Sequence, residues 1–208
     1  MAKKRISDVL IEVLANAGIE RIYGITGDSL NSVNDSLRRN GKIAFEHVRH
    51  EETAAFAAGA EAALTHKLTV CAGSSGPGNL HLINGLFDCH RNRVPVLAIA
   101  SHIPQSEVGL NYFQETHPEN LFKECSCFCE LVSNPKQMPE ILFRAMNAAI
   151  GNQDVAVIVL PGDVAVMEME IDELPVWNQP RLPHIVPQHD DIEEMAAHLE
   201  TGKRITLF

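Results

Sequence analysis

Short apolar runs alternate with longer segments of helical periodicity along most of the chain, and this alternation constrains the fold more than any other feature. The apolar runs have the length of strands and are bounded by turn residues, and they lie at 19–25, 43–48, 68–72, 94–100, 126–132 and 155–160. Helical periodicity occurs at 6–17, 28–40, 51–64, 79–91 and 139–150. Strands that alternate with helices of this length form βαβ units. The sequence therefore predicts an α/β fold, with a largely parallel sheet covered by helices on both faces.

The pattern changes after residue 161. Between 166 and 188, prolines and acidic residues occur without a sustained period, which predicts an extended linker. A helical segment at 191–199 and an apolar run at 204–208, which we expect to be a buried strand, follow the linker. One helix and one strand are too few to form a core. We therefore expect residues 1–165 to form one domain and residues 189–208 to be the start of a second, truncated domain.

Charge and cysteine content exclude several classes of function. The 17 Lys and Arg residues against 27 Asp and Glu give a net charge of −10, which disfavours binding to nucleic acid. The basic start of the chain is followed by no apolar segment of a secretory signal, and no apolar run approaches the ~18 residues of a membrane span. Five cysteines without a signal peptide indicate a reducing compartment. We expect a cytoplasmic protein that binds no nucleic acid.

A glycine-rich turn, Gly73-Ser-Ser-Gly-Pro-Gly78-Asn79, connects a predicted strand to a predicted helix. Backbone amides at a helix N-terminus can approach a ligand closely where glycine removes the side chains. The turn lacks the Gly-Lys-Ser/Thr of a P-loop, the Gly-x-Gly-x-x-Gly of dinucleotide sites and the Gly-x-Ser-x-Gly of a nucleophile elbow. From these residues alone, a ligand-binding turn and a merely tight turn with unusual φ values both stay open.

Two carboxylates, Glu51 and Glu52, follow Arg49 and His50 where a predicted strand gives way to a helix. Carboxylates in a first helical turn interact favourably with the helix dipole, whatever the function. A carboxylate at the carboxyl end of a parallel strand also lies where α/β sheets place their sites. The local pattern alone favours the structural interpretation.

The cysteines at 125, 127 and 129 resemble a metal motif but lie on a predicted strand. Alternate residues of a strand share a face at successive distances of ~6.6 Å. Three thiolates around one zinc ion, each at ~2.3 Å, require shorter separations. We therefore predict no metal site here and interpret the cysteines as small apolar residues on one face of a strand.

Several segments, in order along the chain, are similar to those of one enzyme family. They are Gly24-Ile-Thr-Gly-Asp-Ser-Leu-Asn31, Arg49-His-Glu-Glu-Thr-Ala-Ala-Phe-Ala-Ala-Gly-Ala60, Gly76-Pro-Gly-Asn79, Asn84-Gly-Leu-Phe-Asp-Cys-His-Arg-Asn92 and Tyr112-Phe-Gln-Glu-Thr-His-Pro118. Together they resemble the N-terminal pyrimidine-binding domain of thiamine-diphosphate enzymes related to acetolactate synthase. The strongest resemblance is to quinone-reducing pyruvate oxidases, also called pyruvate:ubiquinone dehydrogenases, and it covers about residues 6–175. Thr26 stands where many members have proline.

The resemblance implies a role for each matching position. Glu51 corresponds to the catalytic glutamate that hydrogen-bonds the pyrimidine N1′ of thiamine diphosphate. The implied cofactor-binding residues are Gly27, Glu51, Gly76, Pro77, Gly78 and Asn79, and the implied substrate-side residues are His90, Phe113 and Gln114. The implied activity is oxidative decarboxylation of pyruvate to acetate and carbon dioxide, through a thiamine-diphosphate ylide and FAD, with quinone as electron acceptor. An acetolactate synthase-like carboligase stays open as an alternative.

The resemblance also implies parts that this chain does not carry. The sequence has no Gly-Asp-Gly followed by an asparagine, the element that holds Mg²⁺ and the diphosphate in the third domain of the family. FAD is bound mainly by the middle domain, of which 189–208 would be the start. The family forms homodimers or homotetramers, and peripheral membrane contact is expected only of a full-length protein. We expect this chain to be inactive alone; a non-catalytic module that dimerises with or regulates a full-length relative also stays open.

Overall fold

Eight strands form two sheets within residues 2–182 and 185–206, the part of the chain described by a computed structural model. They are β1 (Ala2–Arg5), β2 (Arg21–Gly24), β3 (Ala44–His47), β4 (Thr69–Gly73), β5 (Val96–His102), β6 (Phe128–Leu131), β7 (Val155–Pro161) and β8 (Glu168–Ile171). Strands β2 to β7 form a six-stranded sheet in the order β3-β2-β4-β5-β7-β6. Every neighbouring pair in this sheet is parallel, which confirms the predicted α/β fold.

Helices cover both faces of the large sheet. They are α1 (Ile6–Asn16), α2 (Asn31–Asn40), α3 (Glu51–Thr65), α4 (Pro77–Arg91), α5 (Pro118–Leu121), α6 (Met138–Asn152), α7 (Gly162–Val166) and α8 (His189–Thr201). Helices α1, α2, α6 and α7 contact one another on one face, and α3 and α4 pack together on the other. Successive residues of β5 alternate between the two buried clusters: Leu97 and Ile99 face the first, Ala98 and Ala100 the second.

Helices α3 and α4 approach each other closely because small residues line their contact. A Cβ atom on Gly85 would lie 2.6 Å from Cβ of Ala55 and 2.7 Å from the backbone oxygen of Glu52. A Cβ atom on Gly59 would lie 2.6 Å from Sγ of Cys89. This contact fixes α3 and α4 relative to each other.

The region expected to be a linker contains a strand. β8 pairs antiparallel with β1, with Lys3 opposite Glu170, so residues 168–171 are tied to the start of the chain. The described residues that follow, 172–182 and 185–188, form no helix or strand. The division into domains at 165 and 189 stays a prediction.

The expected helix near the end of the chain is present as α8, and its residues are exposed. The expected buried strand at 204–208 is wrong for its described part, because residues 204–206 are exposed and form no strand. An apolar run becomes a buried strand only where a neighbouring strand and a covering layer exist. Residues 207 and 208 lie outside the described part of the chain.

The cysteine prediction rested on a strand that starts later than expected. Cys125 and Cys127 precede β6, because the chain turns where the backbone N–H of Cys125 donates to the oxygen of Phe122 at 3.2 Å. Cys125 is buried, Cys129 is half-buried and Cys127 is exposed, so they do not form one strand face. Burial raises the pKa of Cys125 to about 12, which keeps its thiol protonated. That the three cysteines bind no metal stays a prediction.

None of the described helices is long and apolar enough to cross a lipid bilayer.

Candidate functional site

The turns after β2, β4 and β5 meet at the carboxyl edge of the large sheet, where open α/β sheets place their ligands. The backbone N–H of Ser75, after β4, donates to Oγ of Ser29, after β2, at 2.9 Å. Oγ of Ser101, near the end of β5, donates to the backbone oxygen of Ser29 at 2.6 Å. Gly27 packs directly on Ser74, whose Cβ atom a side chain at 27 would overlap. These contacts hold the turns in one arrangement.

Glu51 is the first residue of α3 and lies at this edge with its side chain only 9% exposed. Its Oε2 atom lies 2.9 Å from Nδ1 of His81 in the first turns of α4. The neighbouring Glu52 points elsewhere, as the ~100° step per helical residue requires, and its Oε2 accepts from Nδ2 of Asn84 at 2.8 Å. His50 caps α3, since its Nδ1 accepts from the backbone N–H of Glu52 at 3.4 Å.

The turn at 76–78 is both conformationally strained for ordinary residues and close to Glu51. Gly76 has φ +66°, and a Cβ atom there would lie 2.8 Å from the backbone oxygen of Gln114. Pro77 starts α4 at a position where a missing N–H costs nothing. A Cβ atom on Gly78 would lie 3.2 Å from Oε1 of Glu51 and 2.7 Å from Oγ of Ser74. The interpretation as a tight turn with an unusual φ value is confirmed at Gly76, and the absence of a side chain at Gly78 leaves Oε1 of Glu51 uncrowded. Ligand binding by this turn stays a prediction.

Asn79 is fully buried and ties α4 to the sheet. Its Nδ2 donates to the backbone oxygen of Ser101 at 2.8 Å. Its Oδ1 is buried without a hydrogen-bond partner among the described residues. The side chain thus anchors the start of α4 and keeps one free acceptor.

The loop at 112–117 lies over the turns. Gln114 contacts Gly76, and its Oε1 lies 3.4 Å from Oγ of Ser75. The carboxylate of Glu115 accepts from the backbone N–H of Gly109 and of Tyr112, and these hydrogen bonds lower its pKa. Phe113 is exposed. Together, Phe113 and Gln114 form one wall of a cavity of about 430 Å³ that Glu51 does not line.

His102, which sequence reasoning missed, lies in the same cavity at the end of β5. It is 3% exposed, and its Nδ1 has no partner among the described residues. Burial lowers the pKa of His102, while the nearby carboxylates of Glu119 and Glu115 oppose that shift. The sequence did contain a signal for His102, because a histidine at the end of an apolar strand lies at the carboxyl edge of the sheet.

His90 lies away from this site. It is near the C-terminus of α4, about 13 Å along the helix axis from His81. Its Nδ1 lies 2.8 Å from Oδ1 of Asp154, just before β7 at the amino edge of the sheet. The structure places His90 at the opposite end of α4 from Glu51, and its substrate-side role stays a prediction.

Sequence reasoning also missed His81. Its ring stacks on His50 with 4.2 Å between centroids and 27° between planes. Donor atoms of His50, Glu51 and His81 lie within 4.8 Å of one another, close enough to be considered for a metal ion. Two imidazoles and one carboxylate differ from the oxygen ligands that Mg²⁺ takes. The cluster of His50, Glu51 and His81 therefore does not fit the Mg²⁺ site of the family.

Comparison with known proteins gives one family and several relatives. The family model described as thiamine pyrophosphate enzyme, N-terminal TPP binding domain, matches residues 4–121. An uncharacterized 42.6 kDa protein in the isoamylase 3′ region of Pseudomonas amyloderamosa is 57% identical over 208 residues, which are 100% of this chain and 52% of that protein. Pyruvate oxidase of Lactiplantibacillus plantarum is 37% identical over 156 residues, 74% of this chain and 26% of that protein.

Acetolactate synthase of Arthrospira platensis is 34% identical over 181 residues, 84% of this chain and 31% of that protein. The chain thus spans about half the length of the first of these relatives and less than a third of the other two.

Proposed function

The chain belongs to the thiamine pyrophosphate enzymes through its N-terminal TPP binding domain, and we propose that it forms the pyrimidine-binding half of a thiamine-diphosphate site in a pyruvate oxidase. The observation that carries this proposal is the environment of Glu51. Its carboxylate is buried at the carboxyl edge of the sheet, one oxygen contacts His81, and the other faces the backbone of Gly78.

The residues present fit an aminopyrimidine ring. A buried carboxylate with one uncrowded oxygen suits a ring nitrogen that shares a proton. Gly78 leaves the space at Oε1 that a Cβ atom would fill, 3.2 Å away. We propose Gly27, Gly76, Pro77, Gly78 and Asn79 as the residues around this ring. When bound, thiamine diphosphate supplies the electron sink for decarboxylation of a 2-oxo acid.

The role of the protein in this site is to hold Glu51 and to move a proton at its Oε1 atom. The N-terminus of α3 stabilises the charged carboxylate, since the helix dipole favours negative charge there. The side chain of Glu51 is only 9% exposed, which limits its contact with water. Gln114 fastens the loop at 112–117 to Gly76, and we propose that it and Phe113 face the substrate. FAD and Mg²⁺ are assigned by this proposal to other parts of a longer protein.

The proposed reaction is oxidation of pyruvate to acetate and carbon dioxide, with electrons passing to FAD and then to a quinone. The segments 112–118 and 87–92 support the oxidase over the carboligase, by their resemblance to quinone-reducing enzymes. The similarity to acetolactate synthase supports the second candidate, a carboligase that joins two 2-oxo acids. Because family sites form between subunits, we propose a homodimer or homotetramer.

Flavin reduction separates the two candidates. The complete protein, loaded with thiamine diphosphate, Mg²⁺ and FAD, is mixed with pyruvate without oxygen. The oxidase should bleach the flavin absorbance with pyruvate alone. Formation of acetolactate with the flavin still oxidised would replace the oxidase by the carboligase. Failure of the complete protein to bind thiamine diphosphate would reject both enzymes and support the alternative of a non-catalytic module.

The assignment of Glu51 is tested by Glu51→Gln in the complete protein. Glutamine is nearly isosteric, so the fold should survive while proton exchange with the cofactor is lost. General acid–base groups contribute about 10²–10⁴-fold in rate, and we expect a loss at or above the upper end. The measurement is deuterium exchange at C2 of the bound cofactor.

Glu52→Gln is the matched control, because its side-chain oxygen can still accept from Asn84. It should exchange at nearly the wild-type rate. An unchanged rate in Glu51→Gln, or a slower rate in Glu52→Gln than in Glu51→Gln, would show that the relay is not Glu51.

The 208-residue chain alone should not turn over pyruvate, even with thiamine diphosphate, Mg²⁺ and FAD supplied. The sequence lacks the Gly-Asp-Gly element that anchors the diphosphate in the family. Carbon dioxide release is measured with the purified chain, and cofactor-dependent decarboxylation above the buffer rate would refute this expectation.

A further inference from the structure

The carboxylate of Glu51 has a single hydrogen-bond partner within residues 2–182 and 185–206, and that partner is His81. The carboxylate side chain is 9% exposed, whereas the imidazole side chain is 44% exposed. A buried carboxylate that gains and loses protons needs a route to solvent. Among the described residues, the imidazole of His81 is the group that is both hydrogen-bonded to the carboxylate and widely exposed to solvent.

The ring of His81 is held in place by its neighbours. His81 lies three residues after Gly78, in the first turns of α4, so the same helix start positions both. Its ring stacks on His50, which caps α3. The carboxylate and the imidazole are thus carried by two helices that pack closely together.

The two oxygens of Glu51 have different surroundings. Oε2 lies 2.9 Å from Nδ1 of His81, and Oε1 faces Gly78, where no side chain stands. In the proposed function, Oε1 is the oxygen that meets the cofactor. We propose that His81 is the positioning residue that orients Glu51 through Oε2 and passes protons between Glu51 and solvent; this inference rests on the proposed function of Glu51.

The proton step is a tautomer exchange of neutral imidazole. With Glu51 ionised, Nδ1–H of His81 donates to Oε2, and Nε2 carries the lone pair. A proton from water or buffer forms an Nε2–H bond, the Nδ1–H bond breaks, and an O–H bond forms at Oε2. The reverse sequence returns the proton to solvent. No redox change occurs, and the only co-reactant is a buffer acid or water.

Two substitutions of His81 separate orientation from proton transfer. The Nδ2 of asparagine can replace Nδ1 as a donor to Oε2, so His81→Asn keeps the orientation of Glu51 but has no second nitrogen to relay a proton. His81→Ala loses both functions and leaves a space for added imidazole. His66→Asn is the matched control, because His66 is exposed at the C-cap of α3 with φ +56°, a conformation that asparagine accepts.

The main measurement is deuterium exchange at C2 of the cofactor in the complete protein, together with the Kd of thiamine diphosphate. We expect His81→Ala to exchange about 10²-fold more slowly, at the lower end of general acid–base effects, and to recover as imidazole is added. His81→Asn should bind the cofactor with wild-type Kd and still exchange slowly. His66→Asn should behave as wild type.

A second measurement needs no cofactor. Nitrogen-15 chemical shifts of histidine in the 208-residue chain report which ring nitrogen carries the proton. At a pH where Glu51 is ionised, His81 should be in the Nδ1–H tautomer, and Glu51→Ala should shift it toward Nε2–H. An Nε2–H tautomer in the unsubstituted chain would overturn the proposed donation to Glu51.

The outcomes separate this inference from the proposed function. Wild-type exchange in His81→Ala, with slow exchange in Glu51→Gln, would reject the role of His81 and keep that of Glu51. Wild-type exchange in Glu51→Gln would reject the proposed function itself. Full exchange in His81→Asn would overturn proton transfer through His81, as would slow exchange in His81→Ala that added imidazole does not restore.

Discussion

Helix α4 carries two histidine–carboxylate pairs, one at each edge of the sheet, and their contacts are nearly the same. Nδ1 of His81 lies 2.9 Å from Glu51, and Nδ1 of His90 lies 2.8 Å from Asp154. Both carboxylates are buried, with side chains 9% and 4% exposed. Distance and burial alone therefore do not distinguish a site from a structural contact.

The difference lies in what else each carboxylate contacts. Oδ1 of Asp154 also accepts from the backbone N–H of Val155 at 2.6 Å, and its Oδ2 lies 3.6 Å from the guanidinium of Arg93. Both oxygens of Asp154 are thus used within the chain. Oε1 of Glu51 faces the backbone of Gly78 and accepts no hydrogen bond from the described residues. Oε1 of Glu51 therefore keeps its acceptor capacity for a ligand, whereas the oxygens of Asp154 do not.

The largest effect on stability should come from the structural pair. Asp154→Asn removes a charge that accepts from Val155 and pairs with His90 and Arg93, so we expect a loss of about 2–3 kcal/mol in the free energy of unfolding, typical of hydrogen bonds to charged groups. Glu51→Gln should change stability by no more than about 1 kcal/mol, since it removes mainly a helix-dipole interaction. Urea unfolding measures both.

The same two variants should rank in the opposite order for cofactor exchange, where Glu51→Gln is the impaired one. A larger loss of stability in Glu51→Gln than in Asp154→Asn would remove the distinction between the two pairs.

A second comparison tests whether the space at Gly78 matters. In Gly78→Ala, the added methyl group meets Oγ of Ser74 at 2.7 Å and Oε1 of Glu51 at 3.2 Å. Overpacking of this kind costs about 1–3 kcal/mol, and we expect weaker cofactor binding as well. Thermal unfolding and the Kd of thiamine diphosphate are the measurements.

Gly151→Ala is the control, because Gly151 lies in α6 and a Cβ atom there would meet no described atom within 4 Å beyond its chain neighbours and the local backbone of its own helix. It should stabilise the chain by up to about 1 kcal/mol through helix propensity. Equal responses of the two glycines would mean that Gly78 serves no special contact.

The sequence allowed prediction of the strands and helices but not of the residues that contact one another across the fold. Buried runs such as 155–160 and the alternation with helices were enough to predict the parallel sheet, and the site was expected where strands give way to helices. The separate contacts of His81 and His90 depend on Glu51 and Asp154, which come from distant parts of the chain. Periodicity along one helix carries no information about such partners.

The pairing of β1 with β8 was missed for the same reason. Both strands are short, and neither has an apolar run, so only the tertiary pairing reveals them. The predicted strand at 204–208 shows the opposite case, since its composition suggests a strand but its described part, 204–206, pairs with no strand.

His102 is a buried histidine at the carboxyl edge of the sheet, and no carboxylate of the described residues is hydrogen-bonded to it. It can therefore be compared with His81 and His90, and we expect its effect on stability to be the smallest. Burial lowers its pKa, and of the charged groups around it Glu119, Glu115 and Asp163 oppose that shift while His117 adds to it. A folded pKa below the unfolded value of ~6.5 means that the unfolded chain binds the proton first as pH falls. Stability from His102 is therefore complete above pH ~6.5 and is lost as pH falls toward the folded pKa.

His102→Gln removes this titration and should make the free energy of unfolding less steep between about pH 7 and pH 5 than in the unsubstituted chain. The other histidines titrate in both proteins, so the difference between the two slopes isolates His102. Urea unfolding at several pH values measures both slopes. Identical slopes would show that His102 gains a proton equally in the folded and unfolded chain, and that a buried histidine at this edge needs no carboxylate partner to stay protonated.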